Sequence, residues 1–290
     1  MTLLGDLQFL LAKYHIKPRR SIGQCFCINP FLLRRMVIYS NVTEKDIVLE
    51  IGAGFGFLTR LLSDVAQDVI TIELDPKLVK AIKEILQDNE NIRIIQGNFL
   101  KIHLPNFTKI VSNPPYSISS NLILHLFSLN FQCAVLTLQK EFVQKLIAQK
   151  GRKTYGSLSV IASYSASITI LEDVSRESFY PRPNVDSTII LIKPQKPLFN
   201  VGDKRFFFKM VRSFFTHRNK KLKNALKFFI RTEYKITNDA IKKLVKEFPY
   251  LDLKVYDLTP EDFGIISYKL YNIFKEIKKQ CPNEINSKFP

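Results

Sequence analysis

Short runs of apolar and β-branched residues alternate along much of the chain with segments whose apolar positions recur every three or four residues. Runs of the first kind are typical of buried strands, and segments of the second kind are typical of amphipathic helices. Strands that alternate with helices predict a largely parallel sheet with helices on both faces. The predicted strands are 47–52, 69–74, 92–96, 109–112 and 133–138, and the helices predicted between them are 57–66, 76–88 and 119–129.

The pattern changes towards the C-terminus. Two further strand-like runs, 158–170 and 186–193, are expected to extend the sheet. The stretch 193–204 is rich in proline and polar residues and is predicted to be a linker. We therefore expect an α/β domain over residues 1–195 and a small all-α domain over residues 204–290. The helices predicted for this second domain are 204–216, 219–231, 237–247 and 260–279.

The 290-residue chain has a formal net charge of +17, and its basic residues are concentrated in two segments. Between Lys204 and Lys227 there are nine basic residues and no acidic one. The N-terminal arm, residues 1–35, supplies six more in the acid-free stretch between Asp6 and Glu44. A composition that is merely rich in lysine would scatter its charge, whereas two acid-free clusters favour a surface that binds a polyanion. We expect the arm and the helical domain to bind nucleic-acid phosphates.

Membrane and metal-binding proteins do not fit the sequence. No apolar run approaches the roughly 18 residues of a membrane helix. The first apolar stretch contains Asp6 and no small-residue cleavage site, which predicts an amphipathic helix and not a signal peptide. The four cysteines lack the paired spacing of a zinc site, and we therefore expect no metal and a reducing, cytoplasmic setting. These cysteines are Cys25, Cys27, Cys133 and Cys281.

A glycine-rich turn follows the first predicted strand. In VLEIGAGFGFLT (48–59), Gly52, Gly54 and Gly56 form G-x-G-x-G, which differs from the G-x-G-x-x-G of dinucleotide-binding proteins. About twenty residues later the second strand ends with Glu73, where a carboxylate can accept hydrogen bonds from both hydroxyls of a ribose. Taken alone, Glu73 fits a helix-capping or solvated residue equally well. Together with the glycine turn it favours a nucleoside cofactor without a pyrophosphate, such as S-adenosylmethionine.

The third predicted strand is followed by Gly97 and Asn98. The side-chain carbonyl of Asn98 can accept a hydrogen bond from the amino group of an adenine. On local grounds, an ordinary turn residue explains Asn98 almost as well.

The fourth predicted strand is followed by Asn113-Pro114-Pro115-Tyr116. Two successive prolines end the strand and fix the backbone, so little ordering is needed when a ligand binds. The side-chain carbonyl of Asn113 and the backbone carbonyl of Pro114 can together accept both hydrogens of an exocyclic amine, which aims the nitrogen lone pair at a methyl donor. Tyr116 offers a ring face on which a base can stack. The alternative is a plain proline turn beside a core tyrosine.

This tetrapeptide also resembles a motif of DNA adenine-N6 methyltransferases and of the glutamine methyltransferases that modify release factors. It therefore predicts methylation of a planar amine without specifying the substrate. The rest of the chain resembles the rRNA adenine N6,N6-dimethyltransferase family, which modifies two adjacent adenosines near the 3′ end of small-subunit rRNA. The similar stretches are RRSIGQCFCIN (19–29), LEIGAGFGFLT, IELD, GNFL, SNPPYSISS, LQKEFVQKLIA (138–148), YGSLSV (155–160), FYPRPNVDST (179–188), FTHRNKKLKNAL (215–226) and LTPEDF (258–263).

The resemblance implies a Rossmann-like methyltransferase domain with a mostly parallel seven-stranded sheet and a small C-terminal all-α domain. It also implies S-adenosylmethionine as the cofactor and small-subunit rRNA, or the immature small ribosomal subunit, as the partner of a monomeric enzyme. Tyr116 and Phe179 would hold the target adenine between them, with Asn113 and Pro114 at its amine. The implied cofactor contacts are Cys25, Cys27, Gly52, Glu73, Asn98 and Asn113.

Three positions depart from the usual family pattern: Cys25 replaces His or Asn, Cys27 replaces Leu, and Asn98 replaces Asp. A neutral acceptor at 98 is weaker than a charged one, so we expect lower cofactor affinity without loss of activity. Two alternative functions remain. The first is a large-subunit rRNA adenine-N6 methyltransferase, which the 138–160 stretch and LTPEDF disfavour. The second is a mainly non-catalytic factor of ribosome assembly or nucleic-acid binding, against which the intact Glu73 and Asn-Pro-Pro-Tyr argue.

Overall fold

The computed structural model describes residues 2–19, 23–234 and 237–280. Arg20, which belongs to the predicted basic arm, and Cys281 lie outside the described residues.

The chain forms two compact units that interleave along the sequence. The first comprises the chain up to Val143 together with Ala166–Pro194, and the second comprises Gln144–Ser165 together with the chain from Gln195 onwards. The segment Gln144–Ser165, which the sequence analysis placed in the α/β domain, therefore clusters with the C-terminal helices.

The first unit is built on a sheet of seven strands. The strands of this unit, in the described residues, are β1 (Phe26–Cys27), β2 (Ile47–Ile51), β3 (Asp68–Glu73), β4 (Ile92–Gln96), β5 (Lys109–Ser112), β6 (Cys133–Gln139), β7 (Ala166–Val174), β8 (Phe179–Tyr180) and β9 (Ser187–Pro194). The order across the sheet is β4-β3-β2-β5-β6-β9-β7. Strands β2 to β6 are parallel, and β9 runs antiparallel to both of its neighbours. The predicted mostly parallel α/β fold is confirmed.

Helices cover the sheet and form the second unit. In chain order they are α1 (Leu3–Lys13), α2 (Pro30–Ser40), α3 (Phe57–Ser63), α4 (Pro76–Ile85), α5 (Ser119–Leu126), α6 (Lys140–Leu146), α7 (Ser157–Ser165), α8 (Lys204–Phe215), α9 (Leu222–Glu233), α10 (Asn238–Val245) and α11 (Pro260–Gln280). Asx-Pro pairs start two of them. Asn29 and Asp75 accept backbone N–H groups as N-caps of α2 and α4, and a proline occupies the first turn of each.

The order of the strands creates a crevice beside β2. The chain adds β3 and then β4 on one side of β2 and returns to its other side with β5. Ligands of open α/β sheets bind outside the carboxyl ends of the strands at such a reversal. Gly52 follows β2 and Asn113 follows β5, so both residues lie at the crevice.

A two-stranded ribbon joins distant parts of the chain. Strands β1 and β8 pair antiparallel, with Phe26 opposite Tyr180 and Cys27 opposite Phe179. Two-residue strands show no periodicity, so the sequence pattern predicts neither of them. The ribbon brings the cysteine-containing segment to Phe179.

The strand predicted over 158–170 is wrong in its first half, where α7 occupies Ser157–Ser165 and β7 starts at Ala166. Most residues of α7 are buried, and a helix that is buried on most sides cannot be distinguished from a buried strand by periodicity. Two of its serines are compatible with a helix because they donate to carbonyls one turn back: the Ser163 hydroxyl donates to the Val160 carbonyl at 2.9 Å, and the Ser165 hydroxyl donates to the Ile161 carbonyl at 2.8 Å.

Aromatic side chains form the core of the second unit. α8 is amphipathic and buries one face while its lysines and arginines lie outside that face. The hydroxyl of Tyr155 donates to the Leu258 carbonyl at 2.9 Å within this unit. None of the helices in the described part of the chain has the length and apolarity that a bilayer crossing would require. The buried residues of α8 are Phe206, Phe207, Met210, Val211 and Phe214.

A buried ion pair closes the amino-terminal end of the sheet, opposite the crevice. Lys109 Nζ lies 2.9 Å from Asp46 Oδ2, and the two side chains are 9% and 6% exposed. Asp46 also accepts hydrogen bonds from the N–H and hydroxyl of Thr43 and from the hydroxyl of Thr108. Burial alone would raise the pKa of Asp46, but these donors together with Lys109 outweigh it and lower the pKa to about 2.

Replacing Asp46 by alanine should lower the free energy of unfolding by about 3–5 kcal/mol, because Lys109 would be left buried and unpaired. Urea denaturation measures this loss, and Asp252→Ala, which removes an exposed carboxylate, is the control that should have little effect. The folded-state pKa of Asp46 is depressed, so its contribution is present above the unfolded value of about 3.9 and is lost as the pH falls towards 2. The difference in the free energy of unfolding between Asp46→Ala and the wild type should therefore become smaller over that pH range. A difference that stays constant would contradict the lowered pKa of Asp46.

Candidate active site

Ser112, the last residue of β5, joins the carboxyl ends of β2 and β5. The main-chain register of these strands covers two residues of β2, Val48 and Leu49. Beyond it, the fully buried hydroxyl of Ser112 donates to the Ile51 carbonyl at 2.6 Å and accepts from the Ile51 N–H at 3.3 Å. One side chain thus satisfies both main-chain groups of Ile51 where the ladder ends, which fixes the width of the crevice.

Two glycines allow neighbouring segments to pack against Asn-Pro-Pro-Tyr. Gly52 has a φ of +84°, and a Cβ there would lie 3.0 Å from Cδ of Pro115. Gly23 has a φ of +71°, and a Cβ there would lie 2.9 Å from the backbone nitrogen of Ser117. Both positions therefore require glycine, since any side chain would strain the backbone and displace the motif.

Glu73, at the tip of β3, is held by the backbone. Its Oε2 accepts the Gly54 N–H at 3.1 Å, and its Oε1 accepts the N–H groups of Leu74 and Asp75 at 2.8 and 2.9 Å. Burial raises the pKa of Glu73, and these three N–H groups oppose the rise. A carboxylate has about four acceptor positions, so three amides orient Glu73 and leave acceptor capacity for a ligand hydroxyl.

A cavity of about 240 Å³ lies at the crevice. Most of its wall is apolar and includes the rings of Phe26 and Phe55, whose centroids are 5.5 Å apart. A largely apolar cleft with a few placed polar groups is the usual form of a small-molecule site. All six predicted cofactor residues line it: Cys25, Cys27, Gly52, Glu73, Asn98 and Asn113.

Asn113 carries an unsatisfied acceptor. Its Oδ1 is buried and has no hydrogen-bond partner among the described residues. A buried polar atom without a partner costs about 1–3 kcal/mol, so such an atom beside a cavity indicates a ligand that donates to it.

The three positions that depart from the family pattern differ in what they offer a ligand. Burial raises the pKa of the Cys27 thiol to about 12, so the thiol is neutral, and its sulfur contacts the Asn29 carbonyl at 3.5 Å. Cys25 is half-buried in the same wall. Asn98 Oδ1 accepts the Leu100 N–H at 3.0 Å, which is the turn role considered for it, and the second lone pair of this oxygen can still accept from a ligand.

The other three predicted residues, Pro114, Tyr116 and Phe179, do not line this cavity. The rings of Tyr116 and Phe179 lie together, with centroids 6.4 Å apart and planes at 71°. This edge-to-face contact is not the parallel arrangement that would hold a base between two rings. The Tyr116 hydroxyl lies 2.6 Å from the hydroxyl of Ser187, a residue that sequence reasoning did not single out although it is the second-to-last residue of the FYPRPNVDST string.

Glu50 is a buried carboxylate at the cavity that the sequence analysis missed. It is 2% exposed, and its Oε2 accepts the hydroxyls of Thr59 and Thr71 at 2.5 and 3.0 Å. Burial raises the pKa of Glu50 to about 8 although the threonines oppose the rise. An acid two residues before a glycine turn was the available signal, but it also fits an ordinary strand residue.

The site lies within a region that matches a known family. The family model described as ribosomal RNA adenine dimethylase matches residues 15–257. The chain belongs to this family. A relative from Methanosarcina acetivorans, named probable ribosomal RNA small subunit methyltransferase A, is 36% identical over 91% of this chain and 97% of its own length. A relative of the same name from Pyrococcus furiosus is 38% identical over 88% of this chain and 93% of its own length.

Solved structures agree with the family assignment. A dimethyladenosine transferase from Plasmodium falciparum is 28% identical with a TM-score of 0.72, and the match covers 87% of this chain and 98% of that one. The 23S rRNA methyltransferase ErmE is 24% identical with a TM-score of 0.63 over 84% of this chain and 98% of that one. The second likeness shows the fold alone.

Family membership makes the chain an S-adenosylmethionine-dependent methyltransferase of rRNA adenine. When bound, S-adenosylmethionine supplies an electrophilic methyl group. The cavity suits this cofactor because Glu73 offers acceptor capacity, Gly52 opens the backbone, and Asn113 carries an acceptor without a donor. Among the described residues, no group of three or more His, Cys, Asp or Glu side chains is arranged to hold a metal ion.

Replacing Ser112 by alanine should lower the free energy of unfolding by about 2–4 kcal/mol, because two buried main-chain groups of Ile51 lose their partner. The variant should also lose methyl transfer disproportionately, since Asn113 is the next residue. Ser165→Ala is the matched control, because its hydroxyl donates within a helix whose ladder already uses the Ile161 carbonyl. Urea denaturation measures the loss of stability, and a turnover assay measures the loss of methyl transfer. Equal losses in both variants would show that Ser112 does not hold the strand ends.

Replacing Glu50 by glutamine should remove a pH dependence of stability. The folded-state pKa of Glu50 is raised, so its stabilising effect is complete below the unfolded value of about 4.3 and is lost as the pH rises through about 8. Between these values the wild type should lose about 1.4 kcal/mol per pH unit relative to Glu50→Gln. Urea denaturation of both proteins from pH 5 to 9 measures this difference. Parallel stability profiles would show that Glu50 is ionised throughout.

Proposed function

We propose that this protein transfers methyl groups from S-adenosylmethionine to the N6 amines of two adjacent adenosines in the 3′-terminal hairpin of small-subunit rRNA, as a step in ribosome biogenesis. The observation that carries the proposal is Asn113 Oδ1, a buried acceptor at the cavity with no donor among the described residues. The names of the relatives from Methanosarcina acetivorans and Pyrococcus furiosus support the small subunit as the substrate.

Asn113 and Pro114 orient the target amine. Pro114 is buried, and within the described residues its carbonyl accepts no backbone hydrogen bond. With Asn113 Oδ1 it provides two acceptors for the two N6 hydrogens, which takes the nitrogen lone pair out of conjugation with the ring. The amine releases its proton to water after transfer, so the residues act by positioning and by excluding solvent from the nitrogen.

Tyr116 presents its ring to the adenine and does not act as a base. Burial raises the pKa of its hydroxyl, which makes the phenolate harder to form. The hydrogen bond with Ser187 fixes the ring instead. Since Phe179 is 2% exposed and meets Tyr116 edge to face, holding the base between both rings requires Phe179 to turn when RNA binds. The adenine itself must leave its stack to reach this pocket.

The cofactor contacts belong to the same proposal. Glu73 accepts from the ribose with the capacity that its three amides leave, and Gly52 lets the backbone approach. Asn98 accepts from the adenine amine with its second lone pair. Cys25 and Cys27 contribute backbone and wall contacts, and the Cys27 thiol is a poor polar ligand because it is neutral and buried.

The basic segments hold the RNA backbone. In the helical unit, Arg205, Arg212, Lys220 and Lys227 form no ion pair among the described residues. Arg205 and Arg212 are seven residues apart on α8 and therefore share one exposed face. Contacts of this kind bind phosphate and set the register without selecting sequence.

We further propose that the enzyme acts as a monomer in the cytoplasm. Free thiols at Cys27 and Cys133 support a reducing setting. The likeness to ErmE does not favour a large-subunit substrate, because it extends to the fold alone. The unsatisfied Asn113 argues against a purely non-catalytic assembly factor, since a binding protein would gain stability by satisfying that atom.

Asn113→Ala should cut turnover severely while RNA affinity, which distant phosphate contacts set, stays nearly the same. Tyr116→Ala should slow the reaction because about 1–3 kcal/mol of stacking is lost, whereas Tyr116→Phe should be mild because it keeps the ring. Mass spectrometry of small-subunit rRNA incubated with each variant and S-adenosylmethionine counts the methyl groups and locates them.

The two tyrosine variants also test the alternative in which the hydroxyl is a base. Should Tyr116→Phe be as inactive as Tyr116→Ala, the stacking role is wrong. Methylation of large-subunit rRNA in place of small-subunit rRNA would overturn the proposed substrate, and absence of methyl transfer to either by the wild type would overturn the proposed activity.

A further inference from the structure

We infer that Phe31, in the first turn of α2, stacks on the nucleotide next to the target adenosine. The inference rests on the proposed function and adds a second base contact to it. Phe31 is 66% exposed, although Leu32, Leu33 and Met36 of the same helix are buried. An exposed ring beside an active site calls for a ligand with a flat apolar face, and every nucleobase has one.

The residues before Phe31 tie it to the strand that carries Phe179. Cys27 pairs with Phe179 across the ribbon, and Asn29 Nδ2 donates to the Ser178 hydroxyl at 3.4 Å. Asn29 Oδ1 accepts the Phe31 N–H at 3.1 Å, which fixes the first turn of the helix. Because Phe31 is four residues beyond Cys27, their Cα atoms are at most about 14 Å apart. When the target nucleotide leaves its stack and enters the target site, the nucleotide next to it can extend over that distance.

The charge around Phe31 favours RNA. Arg34 follows it by three residues, so the two side chains share one face of α2. Arg34 is exposed and forms no ion pair in the described ranges. The nearby acids are already neutralised: Glu172 accepts both guanidinium contacts of Arg35 at 2.7 Å, and Glu177 lies 2.8 Å from Arg182.

An exposed ring beside an unpaired arginine provides one base contact and one phosphate contact on the same helix face. Ile38, which is 71% exposed, continues that face by one further turn. A protein partner would need an acidic group opposite Arg34 as well as an apolar one opposite Phe31, whereas a single nucleotide supplies both. For a reaction on two adjacent adenosines, Phe31 would hold one adenosine while the other occupies the target site.

The test uses the full-length protein and an RNA hairpin with the sequence of the small-subunit 3′ end. 2-Aminopurine, whose fluorescence falls on stacking, replaces the nucleotide on one side of the target adenosine and then the one on the other side. Wild type and Phe31→Tyr should quench one of the two probes, and Phe31→Ala should not. Phe31→Ala should also bind the hairpin roughly 5- to 150-fold more weakly. Its affinity for S-adenosylmethionine should be unchanged.

Phe9→Ala is the matched control, because Phe9 is also 66% exposed but lies on α1, whose buried residue Leu7 belongs to a different hydrophobic cluster from Leu32, Leu33 and Met36. It should keep both quenching and affinity. Affinity falls as the salt concentration rises, and in Arg34→Ala this fall should be less steep. The slope of log affinity against log salt concentration should decrease in magnitude by about one, the value for one lost phosphate contact.

Equal quenching and affinity in Phe31→Ala and Phe9→Ala would overturn the inference while leaving the proposed function intact, provided that the wild type methylates the hairpin. A defect of Phe31→Ala that appears with assembled small subunits but not with the hairpin would overturn it in favour of a protein contact. Failure of the wild type to bind or methylate the hairpin would overturn the inference and the proposed substrate together.

Discussion

The active site depends on how the neighbouring parallel strands β2 and β5 separate at their carboxyl ends. If their ladder continued, the residues after each strand would be used in strand pairing. Instead the Ser112 hydroxyl satisfies both main-chain groups of Ile51, and the two prolines after Asn113 prevent the strand from continuing. Gly52 and Asn113 therefore both line the cavity between the strand ends. The proposed cofactor contacts and the proposed positioning of the amine both depend on this one separation.

Buried polar groups are well compensated by hydrogen bonds at one end of the sheet and poorly compensated at the other. At the amino-terminal end, Asp46 accepts from Lys109 and from two threonines, so the buried charge is well compensated. At the carboxyl end, Asn113 Oδ1 has no donor among the described residues, and Glu50 has a raised pKa because two threonines do not compensate its burial. The compensated end contributes stability, whereas the other end leaves an acceptor available for the proposed ligand. A trade-off of this kind is expected where a site must be complementary to something that the free protein lacks.

Much of the fold follows from the sequence, because buried parallel strands produce continuous apolar runs that only their flanking turns interrupt. The order of those runs also places Gly52, Glu73 and Asn113 at one edge of the sheet. Other features depend on tertiary contacts and leave no periodic trace. The β1–β8 ribbon has two residues per strand. The sequence of the buried helix α7 resembles a strand, and the hydroxyls of Ser163 and Ser165 find carbonyl acceptors only once the helix has formed. A serine such as Ser112 is common at the end of a strand. Its role, hydrogen bonding to both main-chain groups of Ile51, becomes visible only when the two strands lie side by side. The position of the Tyr116 ring likewise depends on its hydrogen bond with Ser187, which is 71 residues away in sequence.

The interleaving of the two units also affects how the enzyme is made. Strand β9 lies between β6 and β7 in the sheet but is synthesised after both, and the segment Gln144–Ser165 of the other unit is synthesised before it. On the ribosome, the strands that carry Gly52, Glu73 and Asn113 can pair while β9 is still missing. Ser187, which fixes the Tyr116 ring, and Phe179, which closes the ribbon with Cys27, arrive only with the end of the sheet. Domains fold as units during synthesis, and pairing between distant segments is slow. The part of the cavity lined by Gly52, Glu73 and Asn113 can therefore form in the nascent chain before Phe179 pairs with Cys27 in its wall and before Ser187 reaches Tyr116.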